Sequence, residues 1–339
     1  MSTEWAHIVL GIVLPLLFIS TLLYVYLDTG TGPKDKKYQV HFRLQHGKFN
    51  IDNIKRGASV IGAAGSGKTE SVVYNFLQHF STQNFCGILH DYKNFELTEM
   101  AYPLFKDIGK IKFYTIAFDQ IHYRVNPIAP RYLHNEESVN EISKVLMENL
   151  LEMNGSNTNS TTKFFNDAVE GLMAGLIWKL KTTYPQFCTL PHLIAIFQTM
   201  NTKILAAFLA SDLTSKAMAS AFINGLDSER QTAGVRSTLA NALKKISSRQ
   251  LFMVLSKDEV PLNINNNKNP AVISVVNHPK YESSFSPIIA AVLHTVIKEM
   301  SVRQQNTSFL LMEEAPTIRL PNMHRIPATL RSYDIATVY

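Results

Sequence analysis

Two spacings of apolar residues alternate along the chain, and where they change marks its organisation. Residues 38–52, YQVHFRLQHGKFNID, alternate apolar and polar positions around His46-Gly47, which predicts a β-hairpin. Short apolar runs follow at residues 59–61, at 85–93 (FCGILHDYK), at 111–118 (IKFYTIAF), at 270–276 (PAVISVV) and at 309–312. They read as buried strands, and helical stretches after 69, near Phe95 and from about Phe285 separate them, so the pattern predicts a parallel sheet with crossover helices. Between Asn126-Pro127 and Leu251 the period changes. EESVNEISKVLMENLLEM, TKFFNDAVEGLMAGLIWKLK and TLPHLIAIFQTM place apolar residues three and four apart, as amphipathic helices do. The polar tract NGSNTNSTT reads as a loop between two of them.

At the N-terminus, residues 8–27 carry no charge. As a helix, about 20 residues would span roughly 30 Å, the thickness of a bilayer core. Glu4 is the one charged side chain before the run, and Lys34, Lys36 and Lys37 follow it. This predicts a single transmembrane anchor with the rest of the chain on the cytoplasmic side. With the anchor, the pattern divides the 339 residues into an anchor (1–30), a basic linker (31–37), the first part of an α/β domain (38–135), an all-helical insertion (136–251) and the second part of that domain (252–339).

Composition adds little. Hydrophobic residues make up 46% and charged residues 18%, which excludes a disordered chain, and the net charge of +6 permits but does not require contact with nucleic acid. Cys86 and Cys188 lie far apart without metal-ligand spacing, so neither a disulfide framework nor a cysteine metal site is expected.

The candidate chemistry lies in two stretches. VIGAAGSGKTE satisfies G-x-x-x-x-G-K-[ST] between a predicted strand and a predicted helix, the context that a phosphate-binding loop demands. Gly62, Ala63, Ala64, Gly65, Ser66, Gly67 and Glu70 would form the cradle, Lys68 would reach the β- and γ-phosphates, and the Thr69 hydroxyl would coordinate Mg²⁺. SFLLMEEAPTI places Glu313 and Glu314 at the end of a buried strand, where ligands of open α/β sheets gather. Glu313 would hold the Mg²⁺ shell and Glu314 would activate the attacking water. ATP and Mg²⁺ are the expected cofactors. Asp91 and Lys93 end the second strand on the same side, as nucleotide-site residues or as a surface ion pair. Arg230 and Arg236 are candidates for an arginine acting on a neighbouring subunit. Lys244, Lys245 and Arg249 could face DNA, and Arg319, Arg325 and Arg331 a pore.

Together these parts resemble the type IV coupling proteins, the TraG/TraD-like ATPases of conjugation and mobilisation. LHDYKNFEL is similar to that family's Asp-x-Lys segment, YRVNPIAP to the passage into its helical domain, RQTAGVRSTLANAL to the passage out, and LLMEEAPTIRLPN to its acidic strand. Glu313 departs from the more usual Asp, and one membrane helix is found where two are common. The resemblance implies a RecA-like P-loop NTPase with a parallel sheet, a large helical insertion and a transmembrane helix, assembling as a homo-hexamer at the bacterial inner membrane. It would pass a relaxase or relaxosome with DNA to a type IV secretion channel. Two other readings are an FtsK/HerA-like DNA translocase and a membrane docking module that binds nucleotide without turnover. RSYDIATVY ends in what reads as the start of a strand. Against the family pattern this predicts a truncated chain with an open, apolar sheet edge and weak hydrolysis.

Overall fold

The structure is a computed structural model that describes residues 9–27, 35–43, 47–63, 65–151 and 160–339. It forms two compact units, Met1–Asn53 and Ile54–Tyr339. Ala64, the first residues of the anchor, most of its basic linker, the hairpin turn at His46 and most of the polar tract at 154–162 lie outside the described residues.

In the first unit, Val9–Val13 is wound as a π-helix and passes into helix α1, Leu14–Leu27. Among the described residues no helix is long and apolar enough to cross a membrane. The 14 residues of α1 extend about 21 Å at 1.5 Å per residue, short of a bilayer core of about 30 Å. The expected transmembrane anchor, and the single-pass inner-membrane location that rested on it, are thereby corrected. The predicted hairpin forms: β1 (Val40–Arg43) pairs antiparallel with β2 (Lys48–Ile51), His41 opposite Asn50. Phe42 and Phe49 pack at 5.4 Å between ring centroids, a cross-strand aromatic pair.

The second unit is built on a five-stranded parallel sheet in the order β4-β5-β3-β6-β7. Its strands are β3 (Cys86–Asp91), β4 (Lys112–Ile116), β5 (Ala271–Val276), β6 (Ser308–Met312) and β7 (Ile335–Val338). All residues of β3, β5, β6 and β7 are buried, so these strands read as mainly apolar runs rather than alternations. The helices α2 (Tyr74–Thr82) and α3 (Glu96–Phe105) cover one face through the Phe80, Phe105 and Phe309 rings, with Phe80 stacked on Phe309 at 4.6 Å. Gly87 is what lets Phe309 lie flat there: a Cβ on it would meet the Phe309 ring at 2.5 Å. On the other face Ile88, Ile273 and Leu310 join one apolar core with the long helix Glu282–Met300.

That core continues through the helices between the two halves of the sheet. They are α4 (Glu136–Leu150), α5 (Ser160–Thr183), α6 (Leu190–Thr199), α7 (Thr202–Ala210), α8 (Leu213–Met218), α9 (Ser220–Asn224), α10 (Glu229–Lys244) and α11 (Arg249–Val254); α12 is Glu282–Met300 and α13 is Ile326–Arg331. Local sequence sets the starts of several. Asn135 and Ser138 exchange side-chain and backbone hydrogen bonds at α4, and Asn201, Asp212 and Ser228 cap α7, α8 and α10.

Two strand expectations need correction. Residues 59–61 do not form a strand of their own; a single bridge joins Ala58 to Val338, and Ile61 is 96% exposed. The open edge expected at residues 335–339 is absent. The strand β7 pairs with β6 on one side, and on the other exchanges backbone hydrogen bonds with Ala58 and Val60.

Candidate functional site

The phosphate-loop segment enters along the sheet and then leaves it. Ala58 N–H donates to Thr337 O at 2.9 Å, Tyr339 N–H to Ala58 O at 3.0 Å and Val60 N–H to Tyr339 O at 2.7 Å. Beyond Val60 no further strand pairing is made before the helix that starts at Thr69, among the described residues. Gly65 and Gly67 sit at φ +73° and +74°, a region that a residue with a Cβ enters only with strain. Thr69–Val73 opens the following helix as one π turn that runs on into α2. The Lys68 ammonium folds back into the loop and donates to the carbonyls of Gly62 at 2.6 Å and Ala63 at 3.0 Å.

This loop, the end of β6 and the end of β7 enclose a cavity of about 530 Å³. Gly62, Lys68, Thr69, Glu313 and Glu314 all line it, together with Lys93. Gly65, Ser66, Gly67 and Glu70 are exposed beside it.

The turn after β3 holds Glu313. Its Oε1 pairs with Lys93 Nζ at 2.8 Å, its Oε2 accepts from Tyr92 N–H at 3.3 Å and its own N–H donates to His90 O at 3.2 Å. The Glu313 bond is the main reason that the Lys93 ammonium is held above its ordinary value. His90 Nδ1 lies 2.9 Å from Glu313 O, and burial pushes the ring down to about 4, so it stays neutral with the proton on Nδ1. Glu314 follows at φ +48°, in the left-handed region, exposed toward the cavity. Its carbonyl accepts from the Thr317 backbone at 3.0 Å and hydroxyl at 2.8 Å, which fixes the unusual turn. The sequence singled out the carboxylates but not the histidine; its signal is a titratable residue at the end of an otherwise apolar central strand.

Asp91 and Lys93 separate. Asp91 is fully buried and accepts from Thr98 N–H at 2.7 Å, Thr98 Oγ1 at 2.6 Å and Lys93 N–H at 3.1 Å. Thr98 Oγ1 also lies 2.6 Å from Ser274 Oγ on β5. Burial raises the Asp91 carboxyl above its usual range against these donors. Asp91 therefore ties the start of α3 to the sheet, while the Lys93 side chain turns to Glu313.

The other basic candidates divide. Arg236 donates to the Phe197 and Met200 carbonyls at 3.4 and 3.0 Å and lies over the Phe197 ring, closing the end of α6. Lys245 donates to Leu150 O at 2.8 Å, and the Arg319 guanidinium to Glu148 O at 3.4 Å. All three have partners within this chain. Arg230, Lys244, Arg249, Arg325 and Arg331 are exposed.

The donor set suits a magnesium nucleotide: a lysine and a helix start for phosphate, with one hydroxyl and one carboxylate for the metal. Among the described residues no three His, Cys, Asp or Glu side chains gather to hold a metal alone. Mg²⁺ needs no such cluster, because it takes one or two protein ligands and completes its shell with phosphate oxygens and water.

No family model and no curated protein matches the chain. Solved structures do. The bacterial conjugative coupling protein TrwBdeltaN70 in its unbound monoclinic form superposes with a TM-score of 0.67 at 14% identity, over 90% of this chain and 66% of that one. The plasmid coupling protein TrwB with the non-hydrolysable ATP analogue ADPNP gives 0.64 at 11%, over 84% and 63%. TrwB with ADP and Mg²⁺ gives 0.63 at 13%, over 84% and 62%. This chain has the coupling-protein fold, a P-loop type α/β sheet, and spans less than two thirds of those structures' length.

Proposed function

We propose that this chain is an ATPase of the type IV coupling-protein kind. Its nucleotide-binding domain is formed by residues 38–135 and 252–339, with 136–251 as an all-helical insertion. One observation carries the reading: residues from opposite ends of the chain, Lys68 and Thr69 with Glu313 and Glu314, line one cavity of about 530 Å³. The nucleotide-bound coupling-protein structures of the same fold support it.

In this reading Gly62 to Glu70 cradle the phosphates, and Lys68 leaves the Gly62 and Ala63 carbonyls to meet the β- and γ-phosphates. Thr69 and Glu313 would hold Mg²⁺, which would supply positive charge against the phosphate oxygens. Glu314, left-handed and exposed to the cavity, accepts the proton of the attacking water. His90 keeps the Glu313–Glu314 peptide in place through its Nδ1–H. The partners proposed are a relaxase or relaxosome with DNA, components of a type IV secretion channel, and further copies of the chain in a homo-hexamer. Arg230, exposed at the start of α10, is the better of the two candidates to act on a neighbour's nucleotide, because Arg236 is committed to α6.

Phosphate release measured with and without single-stranded DNA tests this. The expected result is DNA-stimulated turnover that Lys68→Ala abolishes. Turnover that survives Lys68→Ala would assign it elsewhere.

A further inference from the structure

Lys93 is the cation closest to the proposed metal ligand. Its Nζ lies 2.8 Å from Glu313 Oε1, and the Tyr92 N–H occupies the other oxygen at 3.3 Å. The Glu313 side chain is 13% exposed and that of Lys93 43% exposed, and both residues line the cavity. A second carboxylate is within reach of the same ammonium: Glu96 Oε2 stands 3.8 Å away, in the first turn of α3. Lys93 thus lies between an inner and an outer acidic partner.

We propose that Lys93 competes with the divalent cation for the Glu313 carboxylate. With Glu313 given over to a metal, the Lys93 ammonium would keep Glu96 as its partner. No covalent step is involved; one monovalent charge is exchanged for a divalent one at a carboxylate held from its other side by the Tyr92 N–H. This rests on the nucleotide-site reading above and adds a consequence that neither the loop nor the acidic pair carries by itself. Removing the ammonium should tighten, not loosen, the linkage between metal and nucleotide.

The readout is equilibrium binding of a fluorescent ATP analogue to the full chain, in EDTA and in excess Mg²⁺. The ratio of the two dissociation constants measures how strongly metal and nucleotide assist each other, and the contribution from solution is common to all variants. Lys93→Met should raise that ratio about two- to fivefold, the range of a partly exposed ion pair, while Lys93→Arg should leave it at the wild-type value. In a Glu313→Gln background Lys93→Met should change the ratio no further. A ratio that is unchanged or lower in Lys93→Met, with binding still dependent on Lys68, overturns this inference alone. A rise that persists with Glu313→Gln also overturns it, because Lys93 would then act on the phosphates. Binding indifferent to Lys68→Ala overturns the nucleotide-site reading, and this inference with it. Equal thermal midpoints for the Met and Arg variants separate the effect from a loss of fold.

Discussion

His294 offers a sharp test of how the helical segment is joined to the sheet layer. It lies on α12, 12% exposed, with Nε2 3.7 Å from Glu141 of α4; Lys298, one turn further along α12, reaches the same carboxylate at 2.6 Å. Burial dominates over Glu141 and pushes the ring down to about 4 from an ordinary 6.5, with Lys298 adding in the same direction. The sign follows from linkage. The unfolded ring takes a proton below 6.5 and the native ring resists it, so stability present above 6.5 is lost as the pH falls toward 4. At about 1.4 kcal/mol per pH unit, roughly 2 kcal/mol is lost by pH 5 and almost none at pH 7.5. Urea unfolding of the wild type and His294→Gln at both pH values isolates this contribution, since other acid-sensitive groups such as His90 cancel in the comparison. The glutamine variant should lose about 2 kcal/mol less between pH 7.5 and 5 than the wild type. Parallel losses in the two proteins would refute the claim that α12 buries a neutral imidazole against α4.

Other consequences follow from particular contacts. Phe309→Ala removes a fully buried ring stacked on Phe80 and should cost about 3–5 kcal/mol in urea unfolding; a loss below about 1 kcal/mol would mean that the core closes without it. Gly67→Ala places a Cβ at φ +74° in an exposed loop. It should weaken nucleotide binding by about 1–2 kcal/mol, roughly tenfold in Kd, with little change in thermal midpoint. Arg236→Met loses two carbonyl bonds at the end of α6 and should destabilise the fold by about 1–2 kcal/mol. Turnover per folded molecule should persist, and its loss in a stable Arg236→Met protein would return this arginine to the site.

Much of the sheet was legible because its signals are local. Continuous apolar runs mark β3, β5 and β6, and IATV marks β7, since a strand buried on both faces needs no alternation. The two motifs VIGAAGSGKTE and Glu313-Glu314 stood out in the sequence for a similar reason, glycine, lysine and paired carboxylates at fixed positions, and the fold brings residues of both to one cavity. What could not be read depends on partners far along the chain. Lys93 and Glu313 are 220 positions apart, and only the pairing of β3 with β6 brings them together. For Asp91 the sequence leaves open a nucleotide-site role or a surface pair with Lys93, and neither describes it: three donors from the following turn and α3 hold it in the interior. The expected strand at 59–61 thins to one bridge because Ile61 already turns outward. At the N-terminus an uncharged run was read as a full membrane crossing. Hydropathy counts residues, whereas crossing depends on helix length, and α1 takes up 14 of them.

The central claim is that Lys68 and Thr69 form one hydrolytic site with Glu313 and Glu314. Glu314→Gln tests it most directly, because binding and turnover can be measured on the same protein. If Glu314 accepts the proton of the attacking water, the variant should bind the ATP analogue within a few-fold of wild type and lose turnover by about 10²–10⁴. Turnover near the wild-type rate, or binding and turnover lost in equal measure, would contradict the account.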